Sequence, residues 1–221
     1  MDRKQKNGLL DKVWDLLFPP KCPFCGKLIE PRTLLCRECQ RELPWLTGPA
    51  CKKPVELTQG CVAVFRYQDK VRQAIHGYKF RGRSGRAGCF GTLIAQQVSD
   101  QKLEFDLITW PPLSGKRLRQ RGYDQAELLA RRVGEVLDAP VVPVLTKSHR
   151  PAQSGLADPA SRRANLLGAY TVSDPAKVAG KRVLLIDDVV TTGSTLSECA
   201  KMLELAGAER VSCAALARAG D

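Results

Sequence analysis

VLLIDDVVTTGST, residues 183–195, is the stretch of sequence that decides the fold. Its first part belongs to a hydrophobic strand predicted over residues 181–186, which ends in Asp187 and Asp188. A loop rich in hydroxyl groups follows, and residues 195–206 are predicted to form a helix that Gly207 stops. Ligands of parallel α/β sheets bind at the carboxyl ends of the strands. The stretch therefore predicts an α/β fold with a ligand site at this loop.

The loop after the strand is suited to a phosphate monoester. Its backbone N–H groups, its hydroxyls and the start of the following helix together make an anion site. Gly193 lets the backbone approach a ligand closely, and Thr195 with Glu198 fits a capping box that would fix the helix start. The residues predicted to hold the phosphate are Thr191, Thr192, Gly193, Ser194 and Thr195.

The two acids predict the chemistry of the ligand at the end opposite to its phosphate. Carboxylates at Asp187 and Asp188 can accept hydrogen bonds from vicinal sugar hydroxyls or help hold Mg²⁺. Acids beside a phosphate would repel it, so the spacing favours a ligand with phosphate at one end and hydroxyls at the other. Neither G-x-x-x-x-G-K-[ST] nor G-x-G-x-x-G occurs here, which excludes a Walker loop and a dinucleotide fingerprint. The alternative interpretation is an ordinary solvated turn.

Strand and helix patterns alternate along most of the chain. This alternation indicates a mostly parallel sheet flanked by helices. We therefore expect an α/β domain over residues 61–221, preceded by an N-terminal helix and a cysteine-rich segment over residues 1–60. The polar interval 146–164 has no clear element and favours a mobile lid that carries Lys147. Further strands are predicted at residues 61–67, 105–110, 141–145 and 210–216, and helices at 69–80, 87–98 and 123–137.

The nine cysteines include two C-x-x-C pairs, which are separated by ten residues. Two such turns can supply the four thiolates of a closed, tetrahedral zinc site, which has a structural role and no open position for chemistry. The alternative is two reduced or redox-active pairs. Cys51 and Cys61 could join a second metal site, but each lacks a close partner in sequence, so we expect free, partly buried thiols there. The predicted zinc ligands are Cys22, Cys25, Cys36 and Cys39.

The chain has 221 residues and a formal net charge of +12, which favours a polyanionic partner: nucleic acid, an acidic membrane surface or a phosphorylated substrate. The positive charge is spread out rather than gathered in a tail. Charged residues interrupt the apolar start of the chain, which predicts an amphipathic helix with Leu9, Val13 and Leu16 on one stripe rather than a signal peptide. We expect no transmembrane segment.

The acid pair and the Thr/Gly loop resemble the phosphoribosyl diphosphate (PRPP) motif of type I phosphoribosyltransferases. The resemblance implies the phosphoribosyltransferase fold, with Asp187 and Asp188 on the ribose hydroxyls at the catalytic centre, residues 191–195 on the 5′-phosphate, and Mg²⁺ bound with PRPP. A second loop in that family cradles the diphosphate. Leu113, Ser114 and Gly115 are placed for this role, with a simple turn as the alternative.

The whole chain resembles the ComF family of competence proteins. Five features occur in the order of that family: the two C-x-x-C pairs, the segment IHGYKFRG at residues 75–82, the segment RQRGYDQA at residues 119–126, the stretch at residues 153–165 and the PRPP motif. The family commonly has Phe and Asn where this chain has Tyr123 and Asp124. The resemblance implies a cytoplasmic protein that handles incoming single-stranded DNA in natural transformation, with other competence proteins such as a DNA-translocating helicase as partners. A second branch of the family has been linked to growth on particular carbon sources.

Two basic clusters are candidates for contact with nucleic acid. The first lies next to Tyr78 and Phe80, because aromatic rings beside cations suit stacking on single-stranded bases. The second precedes the helix predicted at residues 123–137 and suits a diphosphate or a nucleic-acid backbone. Solvated surface is the alternative for both. The candidates are Lys79, Arg81, Arg119 and Arg121.

Two functions are consistent with these patterns. The first is a phosphoribosyltransferase that transfers a pentosyl group from PRPP to an acceptor that the sequence does not identify. The second is a module in competence that binds PRPP and single-stranded DNA and catalyses nothing. Release of diphosphate from PRPP distinguishes the two.

Overall fold

The structure is a computed structural model that describes residues 19–147 and 168–220. The chain divides into two compact units, Met1–Leu43 and Pro44–Asp221. The helix predicted near Leu9 and most of the predicted lid, including residues 153–165 of the family resemblance, lie outside the described residues. Among the described helices, none is long and apolar enough to cross a membrane.

The division between the units falls earlier than the boundary at residue 60 that the sequence suggests. Lys52–Lys53 pairs antiparallel with Cys61–Arg66, and Leu46 and Cys51 form a small apolar cluster with Ala63. Residues 44–60 therefore complete the edge of the α/β unit. Their contacts are made between distant residues, which a composition boundary in the sequence does not reveal.

The described part of the first unit, residues 19–43, consists of two turns and one short helix, α1 (Arg37–Glu42). Lys21 and Leu28 form an antiparallel bridge, and the N–H of Gly26 donates to the carbonyl of Cys22 over 2.8 Å. Gly26 has a φ of 78°, a left-handed conformation that glycine adopts without strain. The helix begins after Cys36, so each C-x-x-C pair is held in a tight local turn.

The second unit alternates strands and helices, as the sequence predicts. The strands of its described residues are β1 (Lys52–Lys53), β2 (Cys61–Arg66), β3 (Leu107–Thr109), β4 (Leu145–Lys147), β5 (Tyr170–Val172), β6 (Arg182–Val190) and β7 (Arg210–Arg218). The helices in the same described ranges are α2 (Asp69–Phe80), α3 (Ala87–Asp100), α4 (Gly115–Arg121), α5 (Gln125–Leu137) and α6 (Ser194–Leu205), and short 3₁₀ turns occur at Gly48–Cys51, Ser84–Arg86 and Pro175–Lys177.

The main sheet has the order β1-β2-β7-β6-β3. Four strands run parallel to one another in the order β2-β7-β6-β3, and β1 pairs antiparallel with β2 at the edge. Helices α3 and α5 pack on each other and on the sheet, and α6 packs on β7. The predicted fold class, a mostly parallel sheet flanked by helices with a small cysteine-rich segment, is confirmed.

Strand β6 is longer than the sequence suggests. The prediction that the strand ends at Ile186 is wrong, because the ladder with β7 continues to the pair Val190 and Arg218. Asp187 and Asp188 are therefore strand residues, and their side chains point to opposite faces of the sheet. The parallel partner supplies hydrogen bonds up to Val190, which outweighs the low strand propensity of aspartate.

A second, two-stranded sheet joins β4 and β5 antiparallel. The sequence predicts a strand at residues 141–145, whereas Val141 forms only an isolated bridge to Ile108 and β4 begins at Leu145. This small sheet lies at the two ends of residues 148–167, and Lys147 is the last described residue before them.

The helix predicted at residues 123–137 is confirmed as α5 (Gln125–Leu137), and a further helix, α4, precedes it. Gly122 has a φ of 79° and separates α4 from α5. Ser114 caps α4 by accepting the N–H of Arg117, and Asp124 caps α5 by accepting two backbone N–H groups. The helix predicted at residues 69–80 is confirmed over Asp69–Phe80.

Gly134→Ala is expected to destabilise the protein by about 1–3 kcal/mol, even though alanine favours helices. A Cβ at Gly134 in α5 would lie 2.2 Å from Cγ2 of Val141 and 2.9 Å from the carbonyl oxygen of Ala139. Gly88→Ala in α3 is the control, because its Cβ would meet nothing within 4 Å. It should leave stability unchanged or raise it. Urea unfolding followed by circular dichroism measures both, and equal midpoints would contradict the packing described here.

Candidate sugar-phosphate site

A cavity of about 490 Å³ lies at the carboxyl ends of β3 and β6. It is lined by ends of the strands, by the loops that follow them and by side chains from α2, α4 and β4. Among the described residues, its charged lining consists of three acids and four cations. They are Asp124, Asp187 and Asp188, and Lys79, Arg117, Arg121 and Lys147.

The acid pair is largely buried at the floor of this cavity. Oδ1 of Asp187 accepts the backbone N–H of Asp188 over 2.7 Å. Burial and the adjacent carboxylate of Asp188 raise the pKa of Asp187 to about 7, against the opposing effect of Lys79. The side chain of Asp188 is only 9% exposed. The pair thus offers carboxylate oxygens that are largely shielded from bulk solvent in an open cavity.

Lys79 pairs with Asp188. Its Nζ lies 2.7 Å from Oδ1 of Asp188, and its side chain is 23% exposed. The attraction of both acids raises the pKa of Lys79, which its own burial would lower. Lys79 is a candidate for nucleic-acid contact by sequence, and the structure places its ammonium inside the cavity instead.

The backbone around Lys79 is held by two buried or half-buried tyrosines. The hydroxyl of Tyr78 donates to the carbonyl of Gln125 over 2.9 Å, and the hydroxyl of Tyr123 donates to the carbonyl of Tyr78. Tyr78 is fully buried. These contacts join the last turn of α2 to the start of α5 and fix the direction from which Lys79 enters the cavity.

The hydroxyl-rich loop forms a tight turn into α6. Gly193 has a φ of 80° and precedes the first residue of the helix, Ser194. Val55 lies 3.1 Å from where a Cβ on Gly193 would stand, so both backbone conformation and space require glycine. Thr192 and Ser194 share a hydroxyl hydrogen bond of 2.8 Å, while Thr191 and Thr195 line the cavity.

The capping box predicted for Thr195 and Glu198 is wrong. The helix begins at Ser194, its first cap is Gly193, and no side chain caps it. Oε1 of Glu198 instead accepts the N–H of Gly168 over 2.5 Å. Apart from the N–H of Ser194, which donates to the hydroxyl of Thr192 over 3.4 Å, the first N–H groups of α6 have no side-chain cap among the described residues, which leaves them available to a bound anion.

The second predicted loop borders the cavity through Pro111, Pro112 and Leu113. The N–H of Leu113 donates to Oδ2 of Asp124 over 2.8 Å, and the hydroxyl of Ser114 accepts the N–H of Arg117. Gly115 begins α4. Burial raises the pKa of Asp124. In this arrangement two polar groups of the loop are engaged with the chain itself.

Three further cations face the cavity. Nη1 of Arg121 donates to Oε1 of Gln125 over 2.6 Å, and its guanidinium lies over the ring of Phe80 at 4.7 Å. Nζ of Lys147 donates to the hydroxyl of Tyr170 over 2.7 Å. Burial and the nearby Arg117 lower the pKa of Lys147. Lys79, Arg117, Arg121 and Lys147 outnumber the acids, so the cavity favours an anionic ligand.

The four nucleic-acid candidates do not form one surface. Lys79 and Arg121 line the cavity, whereas Arg119 is exposed. Arg81 is also exposed and borders a separate cavity of about 510 Å³ with His76. Phe80 is 56% exposed, but Arg121 covers part of its ring.

Sequence reasoning missed two contributors to the site. Tyr170 binds Lys147 from β5, a strand that has no clear pattern in the sequence. Asp124 is visible as a departure from the family's usual Asn, but its contact with Leu113 depends on the separation of α4 from α5. The acid in the RGYDQ segment, where the family commonly has Asn, is the sequence signal that could have identified Asp124 as part of the site.

The four cysteines of the first unit form one cluster. The Sγ atoms of Cys22, Cys25, Cys36 and Cys39 all lie within 4.8 Å of one another. Burial raises the pKa of Cys22, but backbone N–H groups of Cys36, Cys25 and Phe24 outweigh it and lower that pKa to about 7. Four thiolates at this spacing fit a tetrahedral structural zinc ion. Among the described residues, no other metal-binding group includes Cys51 or Cys61.

Comparison with protein families finds two matches along the chain. Residues 119–221 match the phosphoribosyl transferase domain family. Residues 13–61 match the double zinc ribbon domain family, which together with the cysteine cluster supports a structural zinc site. The ribbon match ends close to the predicted boundary, although the compact units divide at Leu43 and Pro44.

Named relatives cover most of the chain. Competence protein F of Haemophilus influenzae is 30% identical over 209 residues, which are 90% of this chain and 85% of that protein. DNA utilization protein YhgH of Escherichia coli K12 is 30% identical, with 89% and 83% covered. Competence protein ComFC of Streptococcus pneumoniae is 29% identical, with 94% and 85% covered. The chain therefore belongs to the ComF family of competence and DNA utilization proteins, and along its sequence a four-cysteine ribbon precedes a phosphoribosyltransferase-like domain.

Proposed function

We propose that the chain binds PRPP, or another ligand that contains ribose 5-phosphate, in the cavity at the end of β6. The observation that carries this proposal is the meeting of the buried acid pair with the uncapped start of α6 in one cavity. Phosphate would bind the turn at residues 191–195, through the N–H groups at the start of α6 and the hydroxyls of the turn. The ribose hydroxyls would donate to Asp187 and Asp188.

The remaining cations support a place for a diphosphate on C1 of the ribose. Arg117, Arg121 and Lys147 stand around the same cavity as the acids. Their charges would stabilise the leaving diphosphate as the bond to C1 breaks, and the acids would hold the ribose as positive charge develops on it. Such a reaction depends on positioning and charge stabilisation more than on a dedicated base. We infer a phosphoribosyltransferase that acts in DNA uptake during natural transformation.

Mg²⁺, which the family resemblance implies, supplies charge neutralisation to the diphosphate when it is bound with PRPP. The acid pair does not fit as its ligand set in this structure, because Oδ1 of Asp188 contacts the ammonium of Lys79 and Oδ1 of Asp187 accepts a backbone N–H. In our proposal Mg²⁺ therefore belongs to the diphosphate, and no step depends on carboxylate ligation.

The second candidate function is a module that binds PRPP and single-stranded DNA without catalysis. It is favoured by the net charge of +12 and by the exposed ring of Phe80 next to Arg81 and Arg121. The phosphate backbone would contact the cations and a base would stack on Phe80. Under either function we propose a cytoplasmic site of action with other competence proteins, such as a DNA-translocating helicase.

Calorimetry with PRPP and Mg²⁺, followed by an assay for released diphosphate, separates the candidates. Both functions predict saturable PRPP binding. The enzyme alone predicts diphosphate release that depends on an acceptor, tested with a panel of nucleobases, nucleosides and single-stranded DNA. Binding without release over the whole panel would favour the non-catalytic module, and absence of binding would contradict both.

A further inference from the structure

Lys79 occupies the place beside Asp188 that a divalent cation would need. The Nζ–Oδ1 distance of 2.7 Å is that of a charge-assisted hydrogen bond, and both side chains are mostly shielded from solvent. A divalent ion on the same oxygen would stand next to the ammonium, and at this burial the repulsion is weakly screened. Asp188 can therefore bind either the ammonium of Lys79 or a divalent ion, but not both at once.

The chain fixes Lys79 in this position. It belongs to the last turn of α2, where the N–H of Arg81 donates to the carbonyl of Gly77 over 3.1 Å. The hydroxyl of Tyr123 holds the carbonyl of the preceding residue, Tyr78. Because the backbone is held on both sides, displacing the ammonium would leave Lys79 in the cavity among Arg117 and Arg121 without its acidic partner.

The charges around the acid pair also oppose a divalent ion. From α4 and β4, Arg117, Arg121 and Lys147 face the cavity, while Asp124 is the one further acid that residues 19–147 and 168–220 contribute to its lining. Oδ2 of Asp124 accepts the N–H of Leu113 and its Oδ1 accepts the N–H of Ala126. An ion such as Mg²⁺ prefers several free oxygen ligands in octahedral geometry. Both oxygens of Asp124 and one oxygen each of Asp187 and Asp188 are engaged with groups of the chain, and the surrounding charge is positive.

We propose that Lys79 is the resident cation of the acid pair: it excludes divalent ions from Asp187 and Asp188 and holds them ready for sugar hydroxyls. Lys79 is thus a positioning residue for the ligand. A consequence, which rests on the proposed function, concerns the class of ligand. A pentose 5-phosphate without a diphosphate would bind without any metal ion, and Mg²⁺ would matter only for ligands that bring it on a diphosphate.

The first test uses Mn²⁺ as the probe, in the ligand-free full chain. Electron paramagnetic resonance counts bound Mn²⁺ in the wild type, in Lys79→Met and in Lys79→Arg, whose folding is checked by circular dichroism. We expect Lys79→Met to gain one site per chain with at least roughly tenfold higher affinity than the wild type. Lys79→Arg keeps a cation and should not gain it. Adding Asp188→Asn to Lys79→Met should remove the new site.

An equally tight Mn²⁺ site in the wild type that Asp188→Asn removes would overturn the proposal. So would a folded Lys79→Met protein without any gain. If Lys79→Met does not fold, Mn²⁺ binding to the wild type and to Lys79→Arg still tests the proposal. The proposal requires that neither protein has an Mn²⁺ site that depends on Asp188.

The second test measures ribose 5-phosphate affinity by calorimetry with and without Mg²⁺. Divalent ions are removed from the buffer by a resin, so that zinc at the four cysteines is kept. We expect equal affinities for the wild type in the two buffers, and a loss in Lys79→Met that Lys79→Arg partly restores. Affinity in the wild type that depends on Mg²⁺ would contradict the proposal. Absence of ribose 5-phosphate binding in every buffer would count against the proposed function, while the Mn²⁺ result would still decide the role of Lys79.

Discussion

Asp187→Asn combined with Asp188→Asn is expected to weaken ribose 5-phosphate binding by roughly 100-fold or more. A hydrogen bond to a charged group contributes about 1.5–3 kcal/mol, and about 1.4 kcal/mol corresponds to a tenfold change in affinity. Each Asn keeps the size of the side chain but replaces one acceptor oxygen by a donor. Calorimetry with the purified variant measures the loss.

The variant should also melt at a lower temperature, because Lys79 loses its partner at Asp188. Circular dichroism at the assay temperature shows whether the fold remains. Asp100→Asn with Asp138→Asn is the control: the change in net charge is the same, both residues are exposed, and neither lines the cavity. Comparable affinity in the two double variants would mean that the acid pair does not bind the ligand.

Cys22→Ser is expected to release zinc and unfold the first unit while the second unit stays folded. Cys22 is buried in the four-thiolate cluster. The described part of this unit contains one six-residue helix and few buried apolar side chains, so metal binding supplies its folding free energy. Zinc content is measured by mass spectrometry, and limited proteolysis should produce a resistant fragment that begins near Pro44.

Cys89→Ser is the matched control. Cys89 lies in α3 of the second unit and its substitution leaves the four-thiolate cluster intact. It should retain about one zinc per chain. A Cys22→Ser protein that keeps its zinc and resists cleavage between residues 19 and 43 would contradict a structural zinc ion at these cysteines.

The sequence predicts the layers of the fold because their signals are local. Residues 69–80 have helical periodicity and form α2 with the expected bounds. The alternation of strands and helices indicates a parallel sheet, which β2, β7, β6 and β3 form. The order of the strands and the edge strand β1 do not follow from local patterns, because they depend on pairing between residues far apart in the chain.

The acid pair and the Thr/Gly loop are also predicted, since both lie in one continuous stretch. The extension of β6 to Val190 is not, because the ladder with β7 decides it. Glu198 has the spacing of a capping residue, yet it contacts Gly168, which is distant in sequence. Local spacing thus identifies which residues are present at the site, but it does not identify the groups that their side chains contact in the fold.

Lys79 shows this most clearly. In the sequence, Lys79 lies in a basic cluster with Arg81, which predicts that it contacts nucleic acid at the protein surface. In the structure, the packing of Tyr78 against α5 turns the two residues apart, so that Lys79 reaches Asp188 while Arg81 stays exposed. The ion pair joins α2 to β6, and neither element reveals the other in the sequence.

In our proposal, one cavity takes the phosphate of a ribose 5-phosphate at residues 191–195 and its hydroxyls at the acid pair. A crystal structure of the full chain with ribose 5-phosphate would show both contacts at once. We expect phosphate oxygens within hydrogen-bond distance of the N–H groups that begin α6, and the 2- and 3-hydroxyls on Asp187 and Asp188, with Lys79 still bound to Asp188. A ligand bound elsewhere, or bound with its phosphate among Lys79, Arg117 and Arg121 and no contact to the loop, would contradict it.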